Sequence, residues 1–284
     1  ILSLLKAGDH AALGLGTIVG SALFNILVII GVSASVKTAT IPWQGVVRDL
    51  LFYTISILLL MIPFHLGYVN EIIALVFIGC YCIYLFAVFF WRKIFPYEDA
   101  EIEIPIEEEK VITKTYWAQD LLNKLFAICF PHKKNHISIF LVSITFIGIL
   151  CWILVESAIQ IAHTLDIPEV LIALTVLAIG TSVPDLISSY IVAKQGKGAM
   201  AISNAIGSNI FDILICLGIP WLIILLLGKG PIILAKDNLY ESILLLLGTV
   251  FITFIALIVR KWRIDYINGY FLISIYIIYL SYSL

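Results

Sequence analysis

The sequence predicts an all-α polytopic membrane protein, and three observations lead there. Of the 284 residues, 62% are hydrophobic and only 13% charged, about half the charged share of a soluble globular chain. The mean hydropathy is +1.09. Apolar runs of roughly 20 residues, enough for a helix to cross about 30 Å of hydrocarbon, recur along nearly the whole length. They lack the ten-residue alternating segments of a membrane barrel, so strands are not expected to span.

Taken in order, the runs define eight spans: 13–35, 46–63, 71–91, 137–163, 168–194, 200–228, 239–260 and 264–283. A polar segment, 92–136, divides them into three and five. The expected organisation is thus a partial first half over 1–91, a loop over 92–136 and a complete second half over 137–284. Alternating the loops between two sides places fourteen of the 17 Lys and Arg residues on the side of the 92–136 loop. Only Lys6, Lys229 and Lys236 fall on the other. Basic residues concentrate in cytoplasmic loops, so that loop is expected in the cytoplasm and the C-terminus on the extracellular or lumenal side. Plasma membrane and endomembrane fit equally.

Other features restrict the function classes. Five cysteines, an odd number and without a CxxC pair, read as packing residues. Residues 1–10 lack the pattern of a signal peptide, and because the chain does not begin with Met, an upstream part is expected. The net charge is −2; the hydropathy makes the lipid bilayer the expected partner, and no nucleic acid is expected. Oligomeric state has no sequence signal.

An internal repeat gives the fold its symmetry. GSALFNIL at Gly20–Leu27 matches GSNIFDIL at Gly207–Leu214, with Gly31 and Gly218 also in register, at a constant offset of 187. The copies lie in the first and sixth spans and so cross in opposite directions. Inverted repeats of this kind mark transporters, because similar halves of opposite direction can open a shared midplane site to each side in turn. The alternative is chance similarity between helices with small residues on their packing faces.

Candidate ligands cluster in the repeats. Span 168–194 holds Gly180, Thr181, Ser182, Pro184 and Asp185 at its centre. Proline removes a backbone donor, so this stretch is expected to break the helix and free carbonyls near Ala178. Carbonyls, two hydroxyls and a carboxylate form a hard-oxygen set suited to Na⁺ or Ca²⁺. An aspartate at bilayer depth points to function. Span 200–228 supplies Asn204, Ser208 and Asp212 on one face, with Asn209 beside them. The first repeat has Thr17, Ser21 and Asn25 at the same spacing, Asn25 standing where Asp212 stands. An ion-free hydrogen-bond seam is the alternative for Asn204 and Asn209.

GTSVPD and the following VAKQGKGAMAISNAIGSNIFDILICLGIPW resemble the second internal repeat of the potassium-dependent sodium/calcium exchangers. GTIVGSALFNILVIIGV resembles the second helix of their first repeat. The resemblance is strong over about 170–221 and good over about 14–33. It implies the inverted-repeat cation/calcium exchanger fold, with eight of ten expected helices present. It also implies an antiporter, not an enzyme, that moves Ca²⁺ together with K⁺ out of the cytoplasm in exchange for Na⁺. These inorganic cations are cargo, and no cofactor is implied. On that pattern Thr181, Ser182 and Asp185 bind Ca²⁺ or Na⁺, Asp212 is associated with K⁺ dependence, and Ser21, Asn25 and Ser208 complete the site. The family pairs the acid of GTSVPD with a second acid in the first repeat, which the offset places upstream of Ile1. The chain alone is therefore expected to hold half of the acidic site and not to exchange ions.

Weaker signals remain. The acidic run Glu98–Glu109 reads as a solvated linker or a Ca²⁺ site, and residues 114–128 as an interfacial amphipathic helix or a linker. Glu156 either joins the ion path or pairs near a helix end. Three other readings compete, one of them a truncated, non-transporting product that only associates with other chains. A Ca²⁺/H⁺ antiporter is disfavoured by the lack of a GNxxE pattern. An intramembrane aspartyl protease using Asp185 and Asp212 is disfavoured by the lack of GxGD.

Overall fold

A computed structural model describes residues 11–95, 136–228, 230–234 and 239–283. The acidic run and the 114–128 segment lie outside the described residues. The described residues within 1–102 and 161–284 form one compact unit, and those within 103–160 belong to a second. The described part of the second unit belongs to α5 (His136–Leu165), an apolar helix that carries Glu156.

In the first unit the helices follow the expected order. The first span is a single rod built of α1 (Ala11–Phe24), a π-helical turn π1 (Asn25–Ile29) and α2 (Ile30–Val36). Then come α3 (Trp43–Leu66) and α4 (Glu71–Ile94). Gly67, with φ 80°, ends α3 in the left-handed conformation, its N–H bonded to the Pro63 carbonyl at 2.8 Å. Three residues on, the Asn70 side chain accepts from the Ile73 N–H at 2.9 Å and caps the start of α4. In the second half, α6 (Glu169–Ile172), a π turn π2 (Ala173–Leu177) and α7 (Ala178–Lys194) make one span. After it come α8 (Gly198–Leu214), α9 (Gly218–Leu226), α10 (Leu239–Val259) and α11 (Tyr266–Ser283).

Seven of the eight expected spans are helices long and apolar enough to cross a membrane, and the eighth, α11, is a shorter apolar helix. Among the described residues, strands appear only as two-residue ladders in the loops. β1 (Ala39–Thr40) pairs antiparallel with β4 (Arg263–Ile264), and β2 (Tyr68–Val69) with β3 (Ile232–Ile233). Each ladder joins two loops that the charge alternation had put on the same side.

The halves interlock by exchange. Repeat-one helix α1 packs on α10 of the second half, while repeat-two helix α8 packs on α3 of the first. Likewise α2 packs on α11, and α9 on α4. Small residues make the α2–α11 crossing close. A Cβ on Gly269 would collide with Ser35 Oγ and the Gly31 carbonyl, and one on Gly31 would lie 2.8 Å from Ile273 Cγ1. The core between the halves is apolar, with Leu23, Ile26, Leu27, Ile57, Leu60, Ile206 and Trp221 fully buried.

Two expectations are corrected. The GTSVPD segment does not break its helix: α7 runs unbroken from Ala178 through Pro184 to Lys194, and the departure from α geometry is the π turn just before it. A proline in mid-helix costs one donor, for the carbonyl four residues back, without requiring the chain to unwind. Arg48, counted above among the loop cations, lies inside α3. It is buried, with its Nε donating to Asp49 Oδ1 at 2.8 Å. Tyr84 donates to the same oxygen at 3.3 Å.

Candidate cation-binding site

The two repeats depart from α geometry at the same register. In the first, π1 begins at Asn25. In the second, the Cys216 N–H reaches back to the Phe211 carbonyl at 3.2 Å, an i→i+5 bond, and the helix restarts at Gly218. Phe211 and Cys216 are the counterparts, 187 residues on, of Phe24 and Ile29. Single π turns inside helices recur at functional sites, because they swing side chains out of the regular stripe. Here each falls at the position of Asn25 or Asp212.

Glycine brings the repeats together. A Cβ on Gly20 would collide with the Leu174 carbonyl oxygen and lie 2.7 Å from Ala178 Cβ. With hydrogen there instead, α1 approaches π2 and α7 closely enough for Ser21 Oγ and Ser182 Oγ to share a hydrogen bond of 2.7 Å, both buried. One turn along, the Asn25 amide Nδ2 donates to Asn209 Oδ1 at 2.9 Å. Asn209 Nδ2 donates in turn to the Ala22 carbonyl at 3.1 Å and to the Tyr53 hydroxyl at 2.9 Å.

The polar face of α8 meets α7. Asn204 Nδ2 donates to Ser189 Oγ at 3.2 Å, and Ser208 Oγ donates to Asp185 Oδ2 at 3.0 Å. Asp212 hydrogen-bonds the Cys216 thiol and lies within electrostatic reach of Asp185. Thr181 Oγ1 is turned inward along its own helix, donating to the carbonyls of Leu177 at 3.0 Å and Ala178 at 3.1 Å. The Ala178 carbonyl, expected free, is thus engaged by a hydroxyl. Thr17 lies on α1, one turn before Ser21.

Ser21, Asn25, Ser182, Asp185, Ser208, Asn209 and Asp212 therefore form a polar cluster on three adjoining spans, held by separate hydrogen bonds. Asn204 sits at its edge. Tyr53 and Ala22 join it without having been singled out in the sequence. A buried tyrosine in an apolar helix has no motif to betray it, and Ala22 contributes only backbone.

What the cluster can do chemically follows from what it leaves unsatisfied. Asn25 Oδ1 is fully buried and has no hydrogen-bond donor. Leaving such an acceptor unsatisfied costs about 1–3 kcal/mol, a cost that a bound cation removes. Two carboxylates lie near each other, and among the described residues neither is in an ion pair. Their mutual repulsion also favours a cation between or beside them. Among the described residues no three His, Cys, Asp or Glu side chains cluster to hold a metal. The donor set is instead hydroxyl, carboxamide and carboxylate oxygen, which suits weakly held hard cations that must leave again.

Comparison with known proteins bears on the family and the fold. Human sodium/potassium/calcium exchanger 4 is 44% identical over 149 residues, covering 50% of this chain and 24% of that protein. Human sodium/potassium/calcium exchanger 2 is 33% identical over 204 residues, 66% of this chain and 31% of that protein. The alignments thus span about a quarter to a third of those relatives' length. Among solved structures, the H⁺/Ca²⁺ exchanger CAX superposes with a TM-score of 0.65 at 18% identity, covering 96% of this chain and 66% of that one. The sodium-calcium exchanger NCX_Mj superposes with 0.56 at 24% identity, covering 96% and 78%. These two likenesses show a shared fold. The family model described as sodium/calcium exchanger protein matches residues 1–90 and 135–284, nearly everything outside the polar loop, and the chain belongs to that family.

Proposed function

We propose that this chain is part of a secondary active antiporter that carries Ca²⁺, with K⁺ in company, out of the cytoplasm in exchange for Na⁺. The observation that carries the reading is the buried, donorless Asn25 Oδ1 at the crossing of two inverted repeats. The same three adjoining spans carry the bonded hydroxyls of Ser21 and Ser182, the Ser208–Asp185 bond and the second carboxylate, Asp212. Asp185 is the main Ca²⁺ and Na⁺ ligand, with Ser182 and Ser208 beside it. Asp212, standing where the first repeat has Asn25, provides the charge for K⁺. Thr181 orders the start of α7 through its two carbonyl bonds and reaches an ion by rotating away from them.

Named relatives that exchange sodium, potassium and calcium support this choice of cargo. The basic-residue asymmetry supports a cytoplasmic 92–136 loop and an extracellular or lumenal C-terminus. An enzymatic use of the carboxylates is disfavoured by their partners. Asp185 is bonded by Ser208 and Asp212 by Cys216, rather than the two sharing one proton.

The test is ⁴⁵Ca²⁺ uptake into Na⁺-loaded vesicles holding the full-length native protein, with and without external K⁺. Uptake that needs both the outward Na⁺ gradient and K⁺ is expected. Uptake driven instead by a pH gradient would assign the protein to Ca²⁺/H⁺ exchange.

A further inference from the structure

We propose that Tyr53 is a positioning residue for the ion site: its hydroxyl fixes the Asn209 carboxamide, which in turn presents the oxygen of Asn25, rather than its amide nitrogen, to the cation. This rests on the cation-exchange reading above and specifies what aims one of its ligands.

The hydrogen bonds from Tyr53 to Asn25 have a forced direction. A carboxamide has one donating and one accepting end, and a half-turn exchanges them. The Ala22 carbonyl can only accept, so the NH₂ of Asn209 must face it. The second N–H of that NH₂ goes to the Tyr53 hydroxyl oxygen at 2.9 Å. Both donors of Asn209 are thereby used, and its Oδ1 is left as an acceptor. That acceptor takes the Asn25 Nδ2 at 2.9 Å. With its nitrogen so engaged, Asn25 turns Oδ1 to the side where no donor lies. A cation needs that oxygen; an NH₂ in its place would present two positive hydrogens to it.

Tyr53 is well placed for the task. It is fully buried on α3, and α3 packs along α8, the helix that carries Asn209 and Asp212. One turn earlier on α3, Asp49 accepts hydrogen bonds from Arg48 and Tyr84, and its carboxyl is also bonded by Ser203 of α8. Asp49 and Tyr53 therefore hold α8 at two heights, which keeps the phenol from drifting away from the carboxamide. Without the hydroxyl, Asn209 keeps one N–H bond, to Ala22, and gains freedom to tilt. Asn25 then loses its fixed acceptor.

The variants are Tyr53→Phe, Asn209→Ala and the double variant, made in the full-length native protein. Each is read by ⁴⁵Ca²⁺ flux and by thermal stabilisation of the purified protein on adding Ca²⁺ or Na⁺, which requires no transport. Loss of one directing hydrogen bond is expected to raise the KM for Ca²⁺ roughly fivefold, with a smaller change in maximal rate and a reduced cation-induced stabilisation. Because Tyr53 acts through Asn209, the double variant should have the KM of Asn209→Ala alone. The proposal is overturned if Tyr53→Phe lowers only the stability of the ion-free protein, or if the two effects on KM multiply. A wild-type protein with neither flux nor cation-induced stabilisation overturns the exchange reading and this proposal together. A responsive wild type with an indistinguishable Tyr53→Phe overturns this proposal alone.

Discussion

Asn209 donates through its side-chain amide to the backbone carbonyl of Ala22, the residue 187 positions upstream that is its own counterpart in the internal repeat. The bond is 3.1 Å long and both residues are buried. A contact between equivalent positions of two copies can form only where the pseudo-two-fold axis passes, so the repeats cross at this point. The hydroxyl pair Ser21–Ser182 and the amide pair Asn25–Asn209 flank the crossing.

The hydroxyl pair should be energetically coupled across the halves. Ser21→Ala and Ser182→Ala each leave one buried hydroxyl without its partner, at about 1–2 kcal/mol apiece. The double variant should cost less than the two singles together. A double-mutant cycle on thermal or denaturant unfolding in detergent checks this, and simple additivity would show that the 2.7 Å contact is not made.

Gly20 admits no side chain. Gly20→Ala places a methyl against the Leu174 carbonyl and Ala178 Cβ, so α1 and α7 must part. A destabilisation of about 1–3 kcal/mol is expected, as for overpacking generally. A larger relative loss of Ca²⁺ uptake should accompany it, because the same separation lengthens the Ser21–Ser182 bond. Gly180→Ala, inside α7 where a Cβ meets nothing within 4 Å, is the control and should keep or slightly raise stability.

The buried Arg48–Asp49 pair should be intolerant of half-removal. Arg48→Met leaves Asp49 without its cation and is expected to cost about 3–5 kcal/mol, whereas Arg48→Met with Asp49→Leu should recover much of the loss. Melting temperatures of the purified variants decide this. A single variant as stable as the double would mean that solvent reaches the pair.

Asp212→Asn should remove the need for K⁺ while keeping Na⁺-driven Ca²⁺ uptake. The substitution makes position 212 resemble Asn25, its counterpart, and withdraws one negative charge beside Asp185. Uptake measured over a range of external K⁺ should become flat.

Much of this was legible in the sequence because membrane helices obey a simple rule: they must be apolar and about 20 residues long. The repeat offset then fixed the direction of the two halves and put Asn25 opposite Asp212 before any contact was known. Pro184 reads in sequence as a helix break because it lacks a donor, yet a missing donor is not a missing turn, and the irregularities present, π1 and π2, have no composition signal. Arg48 misled for a related reason. A charge near a span end reads as a loop residue unless its partner is known, and Asp49, adjacent in sequence, does not ordinarily face it on a helix. Tyr53 was invisible because its role depends on a partner 156 residues away.

The central claim, that the crossing repeats form a cation-exchange site centred on Asp185, is tested most directly by ⁴⁵Ca²⁺ uptake into Na⁺-loaded vesicles of the full-length native protein and its Asp185→Asn variant. Na⁺-dependent uptake is expected in the native protein, with loss of at least about 90% of it in the variant, since removing the principal charged ligand costs more than the 1.4 kcal/mol that a tenfold change represents. Na⁺-dependent uptake that survives Asp185→Asn unchanged would contradict it.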